Sequence, residues 1–265
     1  MKNKILYIFG FLFGRRLFYP LGILLQHFAH RMMGIGNYEN FSVSGEEYVI
    51  KTIKKLTNKK NLSFIDVGAG DSSENTQLVK KYFPMSQCYL FEPMGRTFKT
   101  LENSYKKDPS VHCFNLAIGE RNTTIQMWDY AGNSSEHASL HKKSIRTESS
   151  SHKVKQISLS SFIKNEKIGI PDFVKTDIEG FDYFALRGLK PYLPKISFIQ
   201  FEFNSMNAHS KIRFVDFMEL LEKDFKVFRM YQDGLLEITD PNPIYTEIYE
   251  YQNFFAINRS IFMDS

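Results

Sequence analysis

Cysteine is scarce in this chain of 265 residues: Cys88 and Cys113 are the two present, both inside apolar runs that read as strands. The expectation is buried thiols in a reducing, cytoplasmic setting. No Cys/His spacing points to structural zinc. No long Lys/Arg block follows the glycine-rich loop described below, so the formal charge of +5 does not indicate nucleic-acid binding. The mild basicity suits a phosphorylated substrate or an anionic membrane instead. No apolar run reaches the roughly 18–20 residues that span a bilayer. A small-residue cleavage site is missing near the start, which argues against a signal peptide. Internal repeats and low-complexity tails are absent as well.

What is present is ordinary in bulk, with 43% hydrophobic and 24% charged residues, but rich in Phe (25) and Tyr (14), many of which must be buried. Lys2 and Lys4 precede the apolar run 5–13, Arg15 and Arg16 interrupt, and a second apolar run covers 17–29. Two readings stay open for this segment. It packs on the main domain as one or two helices, or it lies on the inner face of a membrane with its basic residues near lipid headgroups. Gly34-Ile35-Gly36-Asn37 marks a break, dividing a helical extension over 1–36 from a domain over 37–265.

Within that domain the pattern alternates. Ser44 and Glu47 have the spacing of a capping box, which predicts a helix to about position 56. Strands are expected over 62–67, 87–92 and 111–117, with helices over 73–82 and 96–106 between them. That order implies a parallel sheet with helices on both faces. Two further strands, 124–130 and 153–157, flank a polar insertion over 131–151, longer than a typical connection. Later strands are expected over 171–177, 196–203, 226–231 and 253–257, with an amphipathic helix over 211–221. Trp128 and the aromatic residues of the strands read as core.

The chemistry gathers where strands end. Phe64-Ile65-Asp66-Val67-Gly68-Ala69-Gly70 takes a buried strand into a tight loop that lets a nucleotide-like ligand approach the backbone. Glu92 closes the second strand, somewhat farther on than the roughly 20 residues usual for a ribose-binding acid. A nicotinamide-binding loop usually has a third glycine; here that position is Ser73, and Asp71 would repel a pyrophosphate. An acid beside the loop suits a ligand carrying an ammonium group. S-adenosylmethionine fits, with an amino-acid end, a ribose diol and no phosphate.

Five runs in order carry a resemblance: Asp66-Val67-Gly68-Ala69, Phe91-Glu92-Pro93, Ala117-Ile118-Gly119, Lys175-Thr176-Asp177-Ile178-Glu179-Gly180 and Gln200-Phe201-Glu202-Phe203-Asn204. Through them the chain resembles the FkbM family of S-adenosylmethionine-dependent methyltransferases over roughly positions 34–257. His137-Ala138-Ser139-Leu140 and Tyr251-Gln252-Asn253 make it similar to members encoded beside surface-polysaccharide enzymes. The loop departs from the family's usual Asn-x-Gly continuation, having Gly70-Asp71-Ser72.

The resemblance implies an α/β fold: a Rossmann-like, seven-stranded mixed sheet with an antiparallel last strand. It implies that Glu92, beside Pro93, accepts the ribose hydroxyls, the rival reading being a cap on the next helix. Asp66 and the amides near Gly68 and Gly70 hold the methionine part, Asn115 and Ala117 border the adenine, and Glu46 either reaches the cofactor or is a capping acid. Asp177 ends the fourth core strand and is the first choice for a base or a metal ligand near the methyl, with Glu179 beside it. The competing reading has Asp177 or Glu179 capping the helix near Gly180. Asp177 and Glu202, joined by Glu179, are candidates for a Mg or Mn site. His137 is a candidate base or phosphate ligand, and His209 reads as a plain loop histidine. The implied activity is O-methylation of a sugar or nucleotide-linked glycan precursor, with no nucleic-acid partner and with peripheral membrane contact through residues 1–30. The alternatives are a nicotinamide-dependent oxidoreductase and a catalytically silent cofactor-binding protein at a membrane glycan-assembly complex.

Overall fold

Strands covered on both faces need no alternation, and the central strands of this chain have none. In the computed structural model, which describes residues 2–37, 40–130 and 149–262, β1 (Ser63–Val67), β2 (Gln87–Phe91) and β3 (Val111–Phe114) pair in parallel. β7 (Phe173–Thr176) joins the other side of β1, and β8 (Phe198–Phe203) pairs in parallel with β7. Every residue of β7 and β8 is buried. β11 (Gln252–Asn258) then inserts antiparallel between β8 and β9 (Phe225–Tyr231).

The main sheet has eight strands, in the order β10-β9-β11-β8-β7-β1-β2-β3, where seven were expected. The extra strand is β10 (Gly234–Glu237), which folds back on β9 across Gln232 and Asp233. The expected strand over 111–117 is also divided. Asn115 and Leu116 separate β3 from β4 (Ala117–Ile118), which leaves the main sheet and pairs with β6 (Ser149–Ile157). With β5 (Thr123–Tyr130) these form a separate three-stranded sheet. Ala117, Met127 and Val154 of that sheet pack on Met94, behind the turn that follows β2.

Helices α4 (Glu46–Thr57), α5 (Glu74–Tyr82) and α6 (Gly95–Tyr105) accompany the first strands; α7 (Leu159–Glu166), α8 (Asp182–Gly188), α9 (Ser205–Ser210) and α10 (Phe214–Leu221) accompany the later ones. Phe201 of β8 stacks on Phe217 of α10 with centroids 4.5 Å apart and planes 6° from parallel. Fully buried phenylalanines of this kind each contribute roughly 1.5–3 kcal/mol, so the aromatic surplus stabilises the layer interface.

Two local expectations are corrected. Ser44 does not cap α4: it ends α3 (Phe41–Ser44), and Gly45 follows at φ +89°. The side-chain cap belongs to Asn40, which accepts from the amides of Ser42 and Val43, while Glu47 pairs with Lys81. The expected helix over 211–221 starts later, as α10 at Phe214, because Lys211 adopts a left-handed conformation that closes the separate α9 before it. At the N-terminus, α1 (Lys2–Phe13) and α2 (Tyr19–Met32) leave the domain, and the large apolar side chains from Ile5 to Phe28, apart from the half-buried Phe18, are exposed.

Candidate functional site

Chain order reverses between β1 and β7: later strands add on one side of the pair in space and earlier ones on the other. Ligands of open α/β sheets bind outside the carboxyl ends of strands at such a switch. Gly68 leaves β1 at φ +82°, where a Cβ would stand 2.0 Å from the Asp177 carbonyl oxygen, so only glycine lets the two loops meet. The Asp177 amide donates to Val67 O (2.9 Å), and the Gly68 and Ala69 amides donate to Phe91 O (3.0 and 3.1 Å). The loops after β1, β2 and β7 are thereby joined by their backbones. Gly70, at φ +63°, has no atom within 4 Å of a notional Cβ. It faces a cleft of about 870 Å³ lined by Gly68, Gly70, Glu46, Asp177, Lys81 and Tyr251 among others.

The electrostatic centre of this cleft lies beneath its floor. Lys175, 2% exposed, donates from Nζ to Asp177 Oδ2 at 2.9 Å. Burial works against its charged form, yet the negative charges of Asp177, Asp66 and Glu46 raise its pKa above the ordinary lysine value. Burial likewise works against a charged Asp177, but Lys175 outweighs it and holds that carboxyl below the usual range. The Asp177 side chain keeps 38% of its surface exposed to the cleft. Glu202 next to it is pushed well up by burial and by the Asp177 charge. A charged Asp177 beside a protonated Glu202 is the consistent assignment, with the Asn204 amide donating to Glu202 Oε1 at 2.5 Å.

Glu46 is brought to the cleft by the first turn of α4. Its carboxylate accepts from Ser44 Oγ (2.8 Å) and Gln200 Nε2 (3.0 Å), and burial raises its pKa. Asn253 Nδ2 donates to the Tyr251 hydroxyl at 2.8 Å, fixing a second wall residue. Asp66 lies below the surface, fully buried, with Oδ2 accepting from Thr76 and Oδ1 without a hydrogen-bond partner.

Glu92 is turned toward the loop amides. Oε1 accepts from the Met94 amide at 2.8 Å, and burial raises its pKa to about 7 against the opposing pull of the Met94 and Gly70 amides. Asn115 Nδ2 donates to the carbonyls of Glu92 and Pro93, both at 2.9 Å, so it pins the turn. Ala117 is buried behind the turn.

The helix after Asp177 begins at Asp182, preceded by Phe181 with no side-chain cap, so neither Asp177 nor Glu179 caps it. Glu179 is partly exposed in a left-handed conformation at φ +53°. Among the described residues no group of three or more His, Cys, Asp or Glu is placed to hold a metal. Asp177 and Glu202 do meet, with Lys175 already on Asp177. His137 and the run after it lie outside the described residues.

Sequence reasoning gave Lys175, Gln200 and Asn253 no role, although all three carry the acids of the site. The available signal was a lysine inside an otherwise apolar strand, Phe173-Val174-Lys175-Thr176. A charge there demands buried partners. Asp182 was also missed: it is fully buried, both carboxyl oxygens lack hydrogen-bond partners, and burial raises its pKa to about 7.

The family model for the methyltransferase FkbM domain matches residues 66–257. No curated protein matches the sequence. Among solved structures, the chain is similar to an FkbM methyltransferase from Methylobacillus flagellatus (14% identity, TM-score 0.47), with 74% of this chain and 44% of that one covered. This chain therefore spans under half the length of that relative. It is also similar to precorrin-6y C5,15-methyltransferase from Geobacter metallireducens (12% identity, TM-score 0.41), covering 80% of this chain and 87% of that one. A third likeness is the plantazolicin methyltransferase BpumL, solved in complex with SAH (11% identity, TM-score 0.46, 81% and 83% covered).

Proposed function

Because the chain belongs to the FkbM methyltransferase family, we propose that it transfers a methyl group from S-adenosylmethionine to a hydroxyl of a sugar or nucleotide-linked glycan precursor. The residues present fit that cofactor. The cleft is lined by Glu46, Glu74 and Asp177 against a single lining lysine, Lys81, and a mainly acidic lining favours a ligand with ammonium and sulfonium centres. Gly70 leaves its backbone open to the cleft. Glu92 ends β2 beside the glycine loop, where it accepts from the Met94 amide, and a carboxylate accepts two hydroxyls well. The bound cofactor supplies an activated methyl on a sulfonium.

The observation that carries the reading is Asp177: a cleft-facing carboxylate held ionised by the buried Lys175. A hydroxyl under methylation sheds its proton as the new carbon–oxygen bond forms, when that proton is already strongly acidic. A carboxylate of low pKa is then a sufficient acceptor, provided it is close and fixed. Lys175 fixes it. A surface-polysaccharide setting supports a glycan acceptor and rests on the sequence resemblance alone.

The test is transfer of labelled methyl from the cofactor to a panel of nucleotide sugars and oligosaccharides, with acid hydrolysis to release any methyl-ether sugar. Asp177→Asn is expected to keep cofactor affinity within a few fold and to lower the transfer rate by about 10²–10⁴. Transfer at the wild-type rate by this variant refutes the assigned role. Absence of any methylated sugar across the panel, with cofactor bound, favours the silent-protein alternative.

A further inference from the structure

Residues 1–38 contain no acidic residue, and Lys2, Lys4, Arg15, Arg16 and Arg31 fall within them. This all-basic segment forms α1 and α2, which bend by 92° at Arg15 and Arg16. Their apolar side chains are bare to an unusual degree: Ile5, Ile8, Phe9, Phe11, Leu17 and Phe28 are each more than half exposed. Elsewhere among the described residues the exposed large apolar side chains are few: Met85, Leu236 and Phe262 singly, and Ile244, Tyr245 and Tyr249 near one turn. Isolated exposures are normal; a continuous run of this size marks a contact surface.

The two helices differ in a way that selects the occupant. Between Lys4 and Arg15, α1 has no charged side chain and its one polar group is the Tyr7 hydroxyl, so it is largely apolar all round, and such a helix belongs inside protein or lipid. α2 is two-faced. Leu21, Leu24, Leu25, Phe28 and Met32 fall on one stripe at helical spacing, while Gln26, His27 and His30 lie opposite.

Length fixes the orientation. Twelve residues of helix extend about 18 Å, short of the roughly 30 Å of a bilayer core. No single helix among the described residues is long and apolar enough to cross a membrane. Basic side chains stand at both ends of α1. A helix too short to place its two charged ends on opposite surfaces must bring both to the same headgroup layer, and so must lie along the membrane plane.

We propose that residues 2–32 are a one-leaflet anchor for an anionic bilayer, with α1 submerged below the headgroups, α2 half-submerged on its Leu/Phe stripe, and Arg15 and Arg16 on lipid phosphates. Charge complementarity and the all-round apolar surface of α1 select this partner over a protein groove. The root of the anchor is firmly tied. His30 Nδ1 and Glu250 Oε2 are 2.5 Å apart, and the Tyr231 hydroxyl donates to Met33 O at 2.9 Å. The Gly36 amide donates to Tyr251 O at 2.7 Å, and Tyr251 lines the cleft. The anchor thus holds the cleft at the bilayer surface whatever reaction the cleft performs.

Flotation of the full chain with vesicles tests this. The protein is expected to float with phosphatidylglycerol–phosphatidylcholine vesicles and much less with phosphatidylcholine alone. Arg15→Glu with Arg16→Glu is expected to weaken partition to the anionic vesicles at least about tenfold, since each basic residue near such a surface contributes on the order of 1 kcal/mol. Leu24→Asp with Phe28→Asp should do the same through the stripe. Both variants must keep the wild-type thermal transition and cofactor titration, which monitor the domain and not the anchor. The proposal is overturned by failure to float, by flotation unchanged in the variants, or by a solution dimer that dissociates with Leu24→Asp and Phe28→Asp and ignores vesicles. Cleavage at the N-terminus by a protease enclosed in the vesicles would instead show a crossing segment and overturn the one-leaflet geometry.

Discussion

Replacing Lys175 with methionine removes the counter-charge from three carboxylates at once. The side chain is 2% exposed, with Nζ 2.9 Å from Asp177 and in the fields of Asp66 and Glu46. Deleting one member of a buried ion pair typically costs about 3–5 kcal/mol. Asp177 retains 38% exposure, so solvent screens part of the loss and the lower end, about 3 kcal/mol, is expected. For a domain of this size that corresponds to a fall of roughly 6–10 °C in Tm. The pH dependence is more diagnostic than the magnitude. Without Lys175 the folded-state pKa of Asp177 rises from its lowered position, and those of Asp66 and Glu46, already raised by burial, move further up. A carboxyl whose folded pKa exceeds its unfolded value is penalised progressively as pH rises from the unfolded value through the folded one. The variant's deficit should therefore be larger at pH 8 than at pH 5.5. Urea unfolding followed by circular dichroism at both pH values measures it. An equal loss at both pH values, or none, refutes the placement of a charged lysine under three acids.

Gly68→Ala should lower stability by several kcal/mol, because its Cβ would stand 2.0 Å from a carbonyl oxygen at φ +82°, while Gly70→Ala, with open space at φ +63°, should cost only about 1 kcal/mol and chiefly weaken cofactor binding; thermal melts and calorimetry separate the two. Glu92 has a pKa raised to about 7 in the unliganded protein, so if its ionised form accepts the ribose diol, cofactor affinity should climb as pH passes 7 and level off above, and Glu92→Gln should flatten that profile in a titration series. Asp182, raised to about 7 by burial and with no hydrogen-bond partner, loses stability as pH rises from its unfolded pKa through 7; Asp182→Asn should remove that slope, leaving the variant more stable than wild type at pH 8 in urea unfolding.

The alternation of strands and helices through β3 was legible because parallel strands read as short apolar runs and their helices as amphipathic ones. Gly68 was legible because a tight loop after a buried strand restricts the residue type. β10 was not read, although Asp233-Gly234 beside an aromatic run is a hairpin signal, because Leu235 and Leu236 are too short a run to show a period. The departure of β4 into a second sheet depends on its partner β6, distant in sequence, and no local pattern encodes that pairing. Asp177 was placed at the sheet edge by its position after a strand. What its carboxyl does depends on Lys175, two residues earlier on the same face of β7, and on Glu202 from the adjacent strand. Spacing along the chain shows the first relation, and only the parallel register of β7 and β8 shows the second.

Methyl-donor binding is the claim on which the functional account stands. Isothermal titration of S-adenosylmethionine into the full chain should give saturable binding at one site per chain, weakened at least about tenfold by Glu92→Ala with the fold intact. A flat titration of the folded wild-type protein, or binding of a nicotinamide dinucleotide in its place, contradicts it.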